Sequence, residues 1–424
     1  MNVLLLNQFF APDAAPTGQL LADVADEVAR RGHSVTVICA RSSYSGAQTA
    51  DPRAALPGLR VLRTPATRFR RGTAGRLLAY ASFYWGALWR ALAAPRPDVI
   101  VTLTTPPLLC LLGGLVRAVR GGRHYIWEMD VYPDIAVALG VLAPGSRITR
   151  AIGALADRSR HRAQVVIALG GCMRDLLAAR GIPPGKIRVA ENWADGSRIH
   201  PAPLPEAPPL TVLYSGNLGL AHDTDTIAEA MERLKDDPRF RFVFAGGGPR
   251  RTALERFCAA RDIAKAEFLP YQDEEHLSAH FARCQLGLVT QTAGSLGAVV
   301  PSKLYAFLAA ARPVIFIGPR EATPARVLAA WQCGWQIDPG DDAALIQLLN
   351  LFAAEPALLA RAGGRARRAF LARYDRPAGV ARILDILTLE SSTSHESSHH
   401  RHHWPGRLLS GGISARPRLR DSRP

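Results

Sequence analysis

Residues 211–250 read TVLYSGNLGLAHDTDTIAEAMERLKDDPRFRFVFAGGGPR. The stretch begins with a short apolar run, passes through a glycine turn into an amphipathic segment, and ends with a second apolar run and a second glycine turn. Short apolar runs that alternate with amphipathic segments are typical of parallel strands connected by helices. The stretch therefore predicts one β-α-β unit whose glycine turns lie at the carboxyl edge of a sheet.

The same alternation continues on both sides of this unit. Before residue 200 it predicts strands over 2–8, 33–40, 59–64, 98–104, 124–129, 164–169 and 186–191. After residue 210 it predicts strands over 211–215, 240–245, 266–269, 286–291 and 313–317. The proline-rich residues 198–210 between the two sets are typical of a linker. We therefore predict an α/β protein with two doubly wound Rossmann-like domains, residues 1–200 and 201–388, that face each other across a cleft.

Composition restricts the classes of partner. The chain has 424 residues and a formal net charge of +16, but only four of its 52 basic residues are lysines, which indicates a bias toward arginine. The basic residues are largely dispersed and no recognition motif occurs, so we expect no nucleic-acid partner. Six cysteines without metal-ligand spacing, and a start that does not match a signal peptide, favour a cytoplasmic protein without structural metal.

Residues 389–424 differ from the rest of the chain. They hold five of the twelve histidines, are rich in serine and arginine, and show no apolar periodicity. A segment of this composition does not bury enough apolar surface to fold. We predict a disordered basic tail.

Two glycine turns in the second half are candidate phosphate sites. The first reads Ser215-Gly216-Asn217-Leu218-Gly219, and the second, after the next predicted strand, reads Gly246-Gly247-Gly248. Glycines at such turns let the backbone approach a ligand and direct N–H groups at a phosphate. The spacing is not GxGxxG, so a tight turn without a ligand is the alternative for each. Because both lie at one sheet edge, we predict that they bind a ligand together.

A third turn, residues 294–303, combines a glycine loop with a cation. It reads GSLGAVVPSK and contains Gly297, Ser302 and Lys303 before an apolar helical stretch. A helix amino end carries about half a positive charge and a lysine adds a full one, which together suit a diphosphate. A capped surface helix with a solvated lysine is the alternative, but the scarcity of lysine favours a functional Lys303.

Asp223-Thr224-Asp225 has the DxD form that metal-dependent nucleotide-sugar enzymes use to hold a divalent ion. Such short patterns arise often by chance, and acids at the start of a helix also cap it. We favour the capping interpretation and predict no metal site.

In the first half, four residues lie where βα loops would reach the cleft. Thr17 and Gly18 end the first such loop, and Asp130 and Asp134 belong to the DVYPD turn after a predicted strand. Either carboxylate suits an acceptor hydroxyl, while a turn rich in Asp and Pro is the structural alternative.

Residues 60–97 contain eight arginines and no acid. Between the arginines lies LLAYASFYWGALW, and aromatic residues beside a basic flank are typical of a helix in a membrane interface. The stretch is too short to span a bilayer. Two interpretations stay open: peripheral contact with an anionic membrane, and a core helix with a basic edge.

Five stretches together resemble the glycosyltransferases of family 4. They are NQFFAPDAAPTGQLLADVADEVARRGHSVTVICA, DVYPDIAVALGVL, LYSGNLGLAHDTDTIAEAM, FVFAGGGPR and VVPSKLYAFLAAARPVI. The resemblance extends to about residue 388 and is to retaining enzymes with the GT-B fold. Within them it is to the bacterial exopolysaccharide and O-antigen subgroup, which includes colanic-acid and N-acetylfucosamine transferases. It implies transfer from a nucleotide sugar, such as a UDP-sugar, to a polyprenyl-diphosphate-linked acceptor, without a metal or other cofactor.

The resemblance also implies roles for individual residues. Gly216, Asn217 and Lys303 would contact the donor diphosphate, and glycines 246–248 would line the nucleotide pocket. The loop with Thr17 and Gly18 would face the acceptor together with Asp130. Lys303 and Asp130 are the candidate catalytic residues. A lipid-linked acceptor implies peripheral attachment to the inner face of the plasma membrane through residues 60–97.

The sequence departs from the family pattern at three positions. Many members carry two glutamates eight residues apart around the last turn, and aligning this chain with them puts Ala298 and Ala306 there. Asn217 stands where a basic residue is common. An inactive relative is therefore one alternative, and a nucleotide-sugar epimerase of the same fold is another.

Overall fold

The computed structural model describes residues 1–13, 15–41, 56–65 and 73–388. These residues form two parallel sheets with helices on their faces, so the predicted fold class is confirmed. The predicted tail, residues 389–424, lies outside the described residues, as do Arg68, Arg70 and Arg71 of the basic segment.

The first sheet has seven strands in the order β3-β2-β1-β4-β5-β6-β7. Its strands are β1 (Asn2–Leu6), β2 (Ser34–Ala40), β3 (Leu59–Thr64), β4 (Val99–Thr102), β5 (Arg123–Trp127), β6 (Val165–Ala168) and β7 (Ile187–Val189). Its helices are α1 (Pro16–Arg30), α2 (Thr73–Ala93), α3 (Leu109–Arg120), α4 (Asp134–Ala138), α5 (Arg147–Arg162) and α6 (Gly171–Ala179). β1 is parallel to both β2 and β4, and Leu4, Leu5 and Leu6 are buried because helices cover both faces of the sheet.

The second sheet has six strands in the order β10-β9-β8-β11-β12-β13. Its strands are β8 (Leu210–Ser215), β9 (Phe240–Ala245), β10 (Ala266–Leu269), β11 (Leu286–Thr290), β12 (Val314–Ile317) and β13 (Gly334–Ile337). Its helices are α7 (Asp225–Arg233), α8 (Pro249–Ala260), α9 (Leu277–Ala282), α10 (Lys303–Ala309), α11 (Thr323–Trp331), α12 (Asp342–Ala354) and α13 (Ala357–Ala369), and α14 (Arg376–Thr388) follows them in the chain. The sequence pattern predicts twelve of these thirteen strands and omits β13.

The last helix of the described residues, α14, packs against the first sheet. A π-helical turn, Phe370–Tyr374, follows α13, and α14 then packs on the core of the first sheet. The α14 side chains in that core are Val380, Ile383, Leu384 and Leu387. A limit at residue 388 therefore assigns to the second domain a helix that lies against the first sheet, and the predicted domain limits stay a prediction.

The helix α2 has two different sides. Ala79, Phe83, Ala87 and Ala91 recur every four residues and are fully buried against the first sheet. Trp85 and Trp89 lie on the opposite side, where they are 76% and 71% exposed. The interpretation as a core helix is thus right for one side, and the other side remains available for a partner. In the part of the chain that the structure describes, no single helix is long and apolar enough to span a bilayer. Only α12 together with Ala357–Tyr374 reaches that length and hydropathy, and the two helices are bent by 101° relative to each other.

Candidate functional site

Each sheet has a point where its strand order reverses, and ligands of doubly wound sheets bind there, beyond the carboxyl ends of the strands. In the first sheet this point lies between β1 and β4, and in the second between β8 and β11. The loop after β1 leads to Thr17 and Gly18, and the loop after β8 contains Gly216 and Gly219. Topology therefore puts two predicted turns at the two switch points.

The glycine turns after β8 and β9 pack directly on each other. Gly216 N–H donates to Ala245 O at 2.8 Å, and a Cβ on Gly246 would lie 2.1 Å from Gly216 O. Gly216 and Gly246 have φ angles of +122° and +123°, which side chains other than glycine rarely adopt. The two turns therefore require glycine for backbone contact with each other, and the prediction that they act together has a structural basis.

Lys303 lies over the first of these turns. A Cβ on Gly216 would meet Lys303 Cε at 2.9 Å, and Nζ is 5.3 Å from the centre of the Tyr214 ring. Among the described residues no carboxylate lies within 4.0 Å of Nζ, and burial lowers the pKa of Lys303 to about 8. A half-buried cation with no acidic partner is a candidate site for an anion.

His222 holds this cation in place. Its Nδ1 lies 2.7 Å from Thr290 O, and because a carbonyl only accepts, Nδ1 carries the proton. The other ring nitrogen, Nε2, therefore accepts from Lys303 Nζ at 3.2 Å. Burial and the neighbouring Lys303 charge lower the pKa of His222 to about 3, so the ring stays neutral at physiological pH. The sequence analysis missed His222, since a single histidine in a loop forms no motif.

Three other predicted donor residues, Ser215, Asn217 and Ser302, have contacts that do not include Lys303. Ser215 Oγ lies 3.2 Å from His280 Nε2, and the backbone carbonyl of the exposed Asn217 accepts from Tyr214 Oη at 2.8 Å. Ser302 directly precedes α10, and its side chain does not cap the helix. Their side chains therefore lie beside the turn without a bond to Lys303.

The remaining glycines have structural contacts of their own. A Cβ on Gly247 would lie 3.0 Å from the Tyr271 ring, and one on Gly248 would lie 2.4 Å from Leu218 O. A Cβ on Gly219 would meet the Asn217 amide at 3.3 Å. Gly297 has φ +75° and approaches Cys172 O of α6, so it lies against the first half of the chain.

Asp130 is the residue of the first half that the structure joins to this site. It forms an isolated antiparallel bridge with Val299, and Val131 N–H donates to Ala298 O at 2.8 Å. The backbone N–H of Asp130 donates to Thr104 Oγ1 at 3.3 Å. Burial, and then the nearby Glu128 carboxylate, raises the pKa of Asp130 to about 6. Asp130 therefore stands beside the turn that leads to Lys303.

The structure gives Asp134 a different partner. Its carboxylate pairs with Arg180 at 3.1 Å, and Arg180 also pairs with Asp157 at 2.6 Å. The carboxylate is thus engaged in a network between α4, α5 and α6, which explains an acid at this position without an acceptor. Thr17 and Gly18 lie in the first turn of α1 and not in the loop after β1 where they were predicted, because the helix begins at Pro16. Thr17 Oγ1 accepts from Asn7 Nδ2 at 3.4 Å, and Gly18 is close to the backbone of residues 9 and 10.

Two alanines stand where many family members carry glutamates, one before Lys303 in the sequence and one after it. Ala298 is 1% exposed, and its backbone carbonyl accepts a hydrogen bond from Val131 N–H of the first half. Ala306 is half-buried and lies three residues after Lys303, on the same side of α10. A methyl group at either position accepts no hydrogen bond from a ligand.

The acidic DxD pattern caps α7. Asp223 Oδ1 accepts from Thr226 N–H at 3.3 Å, whereas the Asp225 carboxylate is 84% exposed and lies 3.9 Å from Arg250. Across the described ranges, no group of three His, Cys, Asp or Glu side chains is arranged to hold a metal ion. The cap interpretation therefore accounts for Asp223.

Comparison with known families divides the chain as its sheets do. The glycosyl transferase 4-like domain matches residues 17–193, and the domain of the glycosyl transferases group 1 matches residues 197–369. Two relatives match along most of their length. The glycosyltransferase WbjE of Pseudomonas aeruginosa is 26% identical over 61% of this chain and 66% of its own. WcaI of Escherichia coli K12, named for colanic acid biosynthesis, is 27% identical over 73% of this chain and 81% of its own.

Solved structures share the fold at lower sequence identity. A sucrose-phosphate synthase from Thermosynechococcus elongatus is 15% identical with a TM-score of 0.73, over 93% of this chain and 100% of its own. HepE from Anabaena, solved with UDP-glucose, is 15% identical with a TM-score of 0.67, over 92% and 100%. Since the two family domains together match most of the chain, in the order of its two sheets, the chain belongs to the glycosyltransferases of family 4 and has their GT-B fold.

Proposed function

We propose that the chain is a retaining glycosyltransferase. It moves a sugar from a nucleoside-diphosphate sugar to a polyprenyl-diphosphate-linked glycan in the synthesis of a cell-surface polysaccharide. The observation that carries the proposal is Lys303, a half-buried cation without a carboxylate partner among the described residues, held by His222 at the switch point of the second sheet.

The donor is proposed from the chemistry of that point. The turn with Gly216 packs on the Lys303 side chain, and an ammonium beside a glycine turn suits a diphosphate. HepE, which shares the fold, is described in complex with UDP-glucose, and this supports a UDP-sugar. Ala298 and Ala306 offer a sugar or ribose no side-chain acceptor, so the backbone and Lys303 carry the recognition.

The proposed reaction depends on stabilising the negative charge that develops on the leaving diphosphate. The bond between the anomeric carbon and the diphosphate breaks, and the Lys303 ammonium stabilises the negative charge on the departing oxygen. The acceptor hydroxyl oxygen bonds to the same carbon on the face that the diphosphate leaves, and its proton passes to the departing diphosphate. Fixed dipoles and one cation take the place of a metal ion in this scheme.

The acceptor side is assigned to the first half. Asp130, beside Val299, is ionised at neutral pH with a pKa of about 6, and it accepts a hydrogen bond from the acceptor hydroxyl. WcaI is named for colanic acid biosynthesis, which supports a polysaccharide product. A lipid-linked acceptor would bring the enzyme to the inner face of the plasma membrane, with residues 60–97 in contact with it. Six free, buried cysteines suit such a reducing compartment.

The donor site is tested by calorimetry with UDP. We expect Lys303→Ala to weaken binding by about 1–3 kcal/mol, the range for hydrogen bonds to a charged group. Lys235→Ala is the matched control, because Lys235 is an exposed lysine of the same half. Equal affinity of the two variants would remove Lys303 from the site.

The reaction is tested by supplying UDP-sugars with and without a lipid-linked acceptor. Transfer to the lipid with retained anomeric configuration is the expected result. Conversion of the free nucleotide sugar without acceptor would identify an epimerase instead, and UDP binding without either product would identify an inactive relative.

A further inference from the structure

The exposed apolar side chains of the protein are concentrated on three helices. Thirteen large apolar side chains are exposed among the described residues, and seven of them lie on α2, α3 and α5. The seven are Leu78, Trp85, Trp89, Leu115, Val119, Ile148 and Leu155. This concentration on neighbouring elements differs from single exposed residues, which are normal on any surface.

The three helices lie side by side on the first sheet. α3 packs against α2 on one side and α5 on the other. Leu115 and Val119 are four residues apart and therefore lie on one side of α3, and Ile148 and Leu155, seven apart, lie on one side of α5. Each helix thus exposes an apolar strip, and the three strips form what we call the α2–α3–α5 face.

The arginines on this face have no acidic partners. Arg147, Arg150 and Arg158 of α5 are exposed, and no carboxylate of the described residues pairs with them. α2 and α3 contain no acid, and the single acid of α5, Asp157, is engaged by Arg160 and Arg180. The face therefore carries net positive charge beside its apolar strips.

A groove between α2 and β3 brings both properties together. It has a volume of about 390 Å³ and is walled by the rings of Trp85 and Trp89 and by Arg60 and Arg90. Arginine flanks suit a phosphate, and indole rings prefer the boundary between headgroups and acyl chains. The groove has the chemistry of a seat for an anionic phospholipid headgroup.

We propose that the α2–α3–α5 face docks on the surface of a bilayer that contains anionic phospholipid. Tryptophan and aliphatic side chains enter the interface, while the unpaired arginines contact lipid phosphates. The inference rests on the membrane contact in the proposed function and deepens it, because α3 and α5 lie outside residues 60–97. Charge favours a bilayer over a second copy of this chain, since two copies of a positive face repel each other.

The test is sedimentation of the full chain with vesicles of phosphatidylcholine alone and with added phosphatidylglycerol. We expect binding to the anionic vesicles and a loss of about tenfold in partitioning for Trp85→Ser with Trp89→Ser. Leu351→Ser with Leu371→Ser, two exposed apolar residues of the second half, is the control expected to bind as the unaltered chain does.

A second pair of variants tests the charge. Arg147→Gln with Arg150→Gln is expected to weaken binding to anionic vesicles about tenfold, since each basic residue near the surface contributes measurably. Arg233→Gln with Arg261→Gln removes the same charge from paired arginines of the second half and serves as control. We expect the variant of Arg233 and Arg261 to lose less affinity for anionic vesicles than the variant of Arg147 and Arg150.

Several outcomes would overturn the inference. They are equal binding to neutral and anionic vesicles, no vesicle binding at all, and equal binding by the face variants and their controls. A concentration-dependent dimer that the face variants abolish, without vesicle binding, would assign the face to a second copy. Affinity for UDP without vesicles reports on folding and on the donor site, so a chain that binds vesicles but not UDP contradicts the proposed function alone.

Discussion

The two halves of the chain share an architecture, but a group of exposed arginines in one half differs from a group in the other in its acidic partners. In the second half the exposed Arg233, Arg241 and Arg261 pair with carboxylates at 2.7 Å or less. In the first half, Arg147 and Arg150 on α5 are exposed and have no acidic partner in the described residues. A compositional bias supplies arginine to both halves, so pairing rather than abundance separates the residues that stabilise the fold from those available to a partner.

The buried arginines differ as well. Arg160, 2% exposed, bonds to the Glu128 and Asp157 carboxylates at 2.7 and 2.8 Å. Arg312, 1% exposed, has no carboxylate partner among the described residues and donates to three backbone carbonyls at 2.9 to 3.0 Å, two of which belong to the linker. In the first half, Arg160 thus belongs to a buried network of charged side chains near Asp130. In the second half, Arg312 instead holds the backbone of the linker.

The largest expected effect is that of breaking the charged network. Arg160→Met leaves the buried Glu128 carboxylate without its cation, and we expect a loss of about 3–5 kcal/mol in the free energy of unfolding. Urea unfolding followed by circular dichroism measures it. Adding Glu128→Gln should restore part of the loss, because the unpaired charge is gone. A double variant no more stable than the single one would show that packing, not charge, explains the effect.

The next prediction concerns the cation of the second half. Burial lowers the pKa of Lys303 to about 8, so the free enzyme loses this charge as the pH rises, and UDP binding must then take up a proton. Affinity for UDP should be constant from pH 7 to about 7.5 and then fall, approaching tenfold per pH unit above about 8.5. Calorimetry over this range measures it, starting above the ionisation of the terminal phosphate at about 6.

Lys303→Arg provides the control, because a guanidinium stays charged throughout this range. Its affinity for UDP should vary little with pH. An equal fall in the Arg variant would assign the titration to another group.

The sequence predicts the strands well and misses one of the four edge strands, β13. Runs such as NVLLL in β1 and VIVT in β4 are apolar throughout because both faces are covered, and this makes them easy to recognise. β13, GWQI, is an edge strand with half-buried residues and a glycine, so it has no continuous apolar run. A run of apolar residues in the sequence indicates a buried strand, and the residues of β13 are too little buried to form such a run.

The site is predicted in part for a similar reason. Lys303 is recognisable from its turn, but His222 and Thr290 lie 81 and 13 residues earlier, and only the pairing of β8 with β11 brings them together. Asp134 has the composition of an acceptor residue, yet Arg180, 46 residues later, takes its carboxylate. Likewise, the strips of α3 and α5 join that of α2 only through helix packing.

A smaller effect is expected from His222, which positions the cation. His222→Ala removes the acceptor that holds Lys303 Nζ, and we expect UDP binding to weaken by about 1 kcal/mol, the net value of one hydrogen bond. His222→Gln retains a carbonyl acceptor and should lose less. Titration calorimetry of the three proteins measures the order, and a Gln variant as weak as the Ala variant would show that the ring, not its acceptor, matters.

The smallest effect tests the comparison of surface arginines directly. Arg233→Gln breaks an ion pair with Asp342 of 2.6 Å between α7 and α12, and because Arg233 is 56% exposed, we expect a loss of at most about 0.5 kcal/mol. Arg150→Gln breaks no pair and should leave the free energy of unfolding unchanged, while weakening attachment to anionic vesicles. Urea unfolding at low and high salt measures the first difference, which salt should reduce. If Arg150→Gln destabilised the fold as Arg233→Gln does, its charge would serve the structure, and the distinction between paired and available arginines would fail at this position.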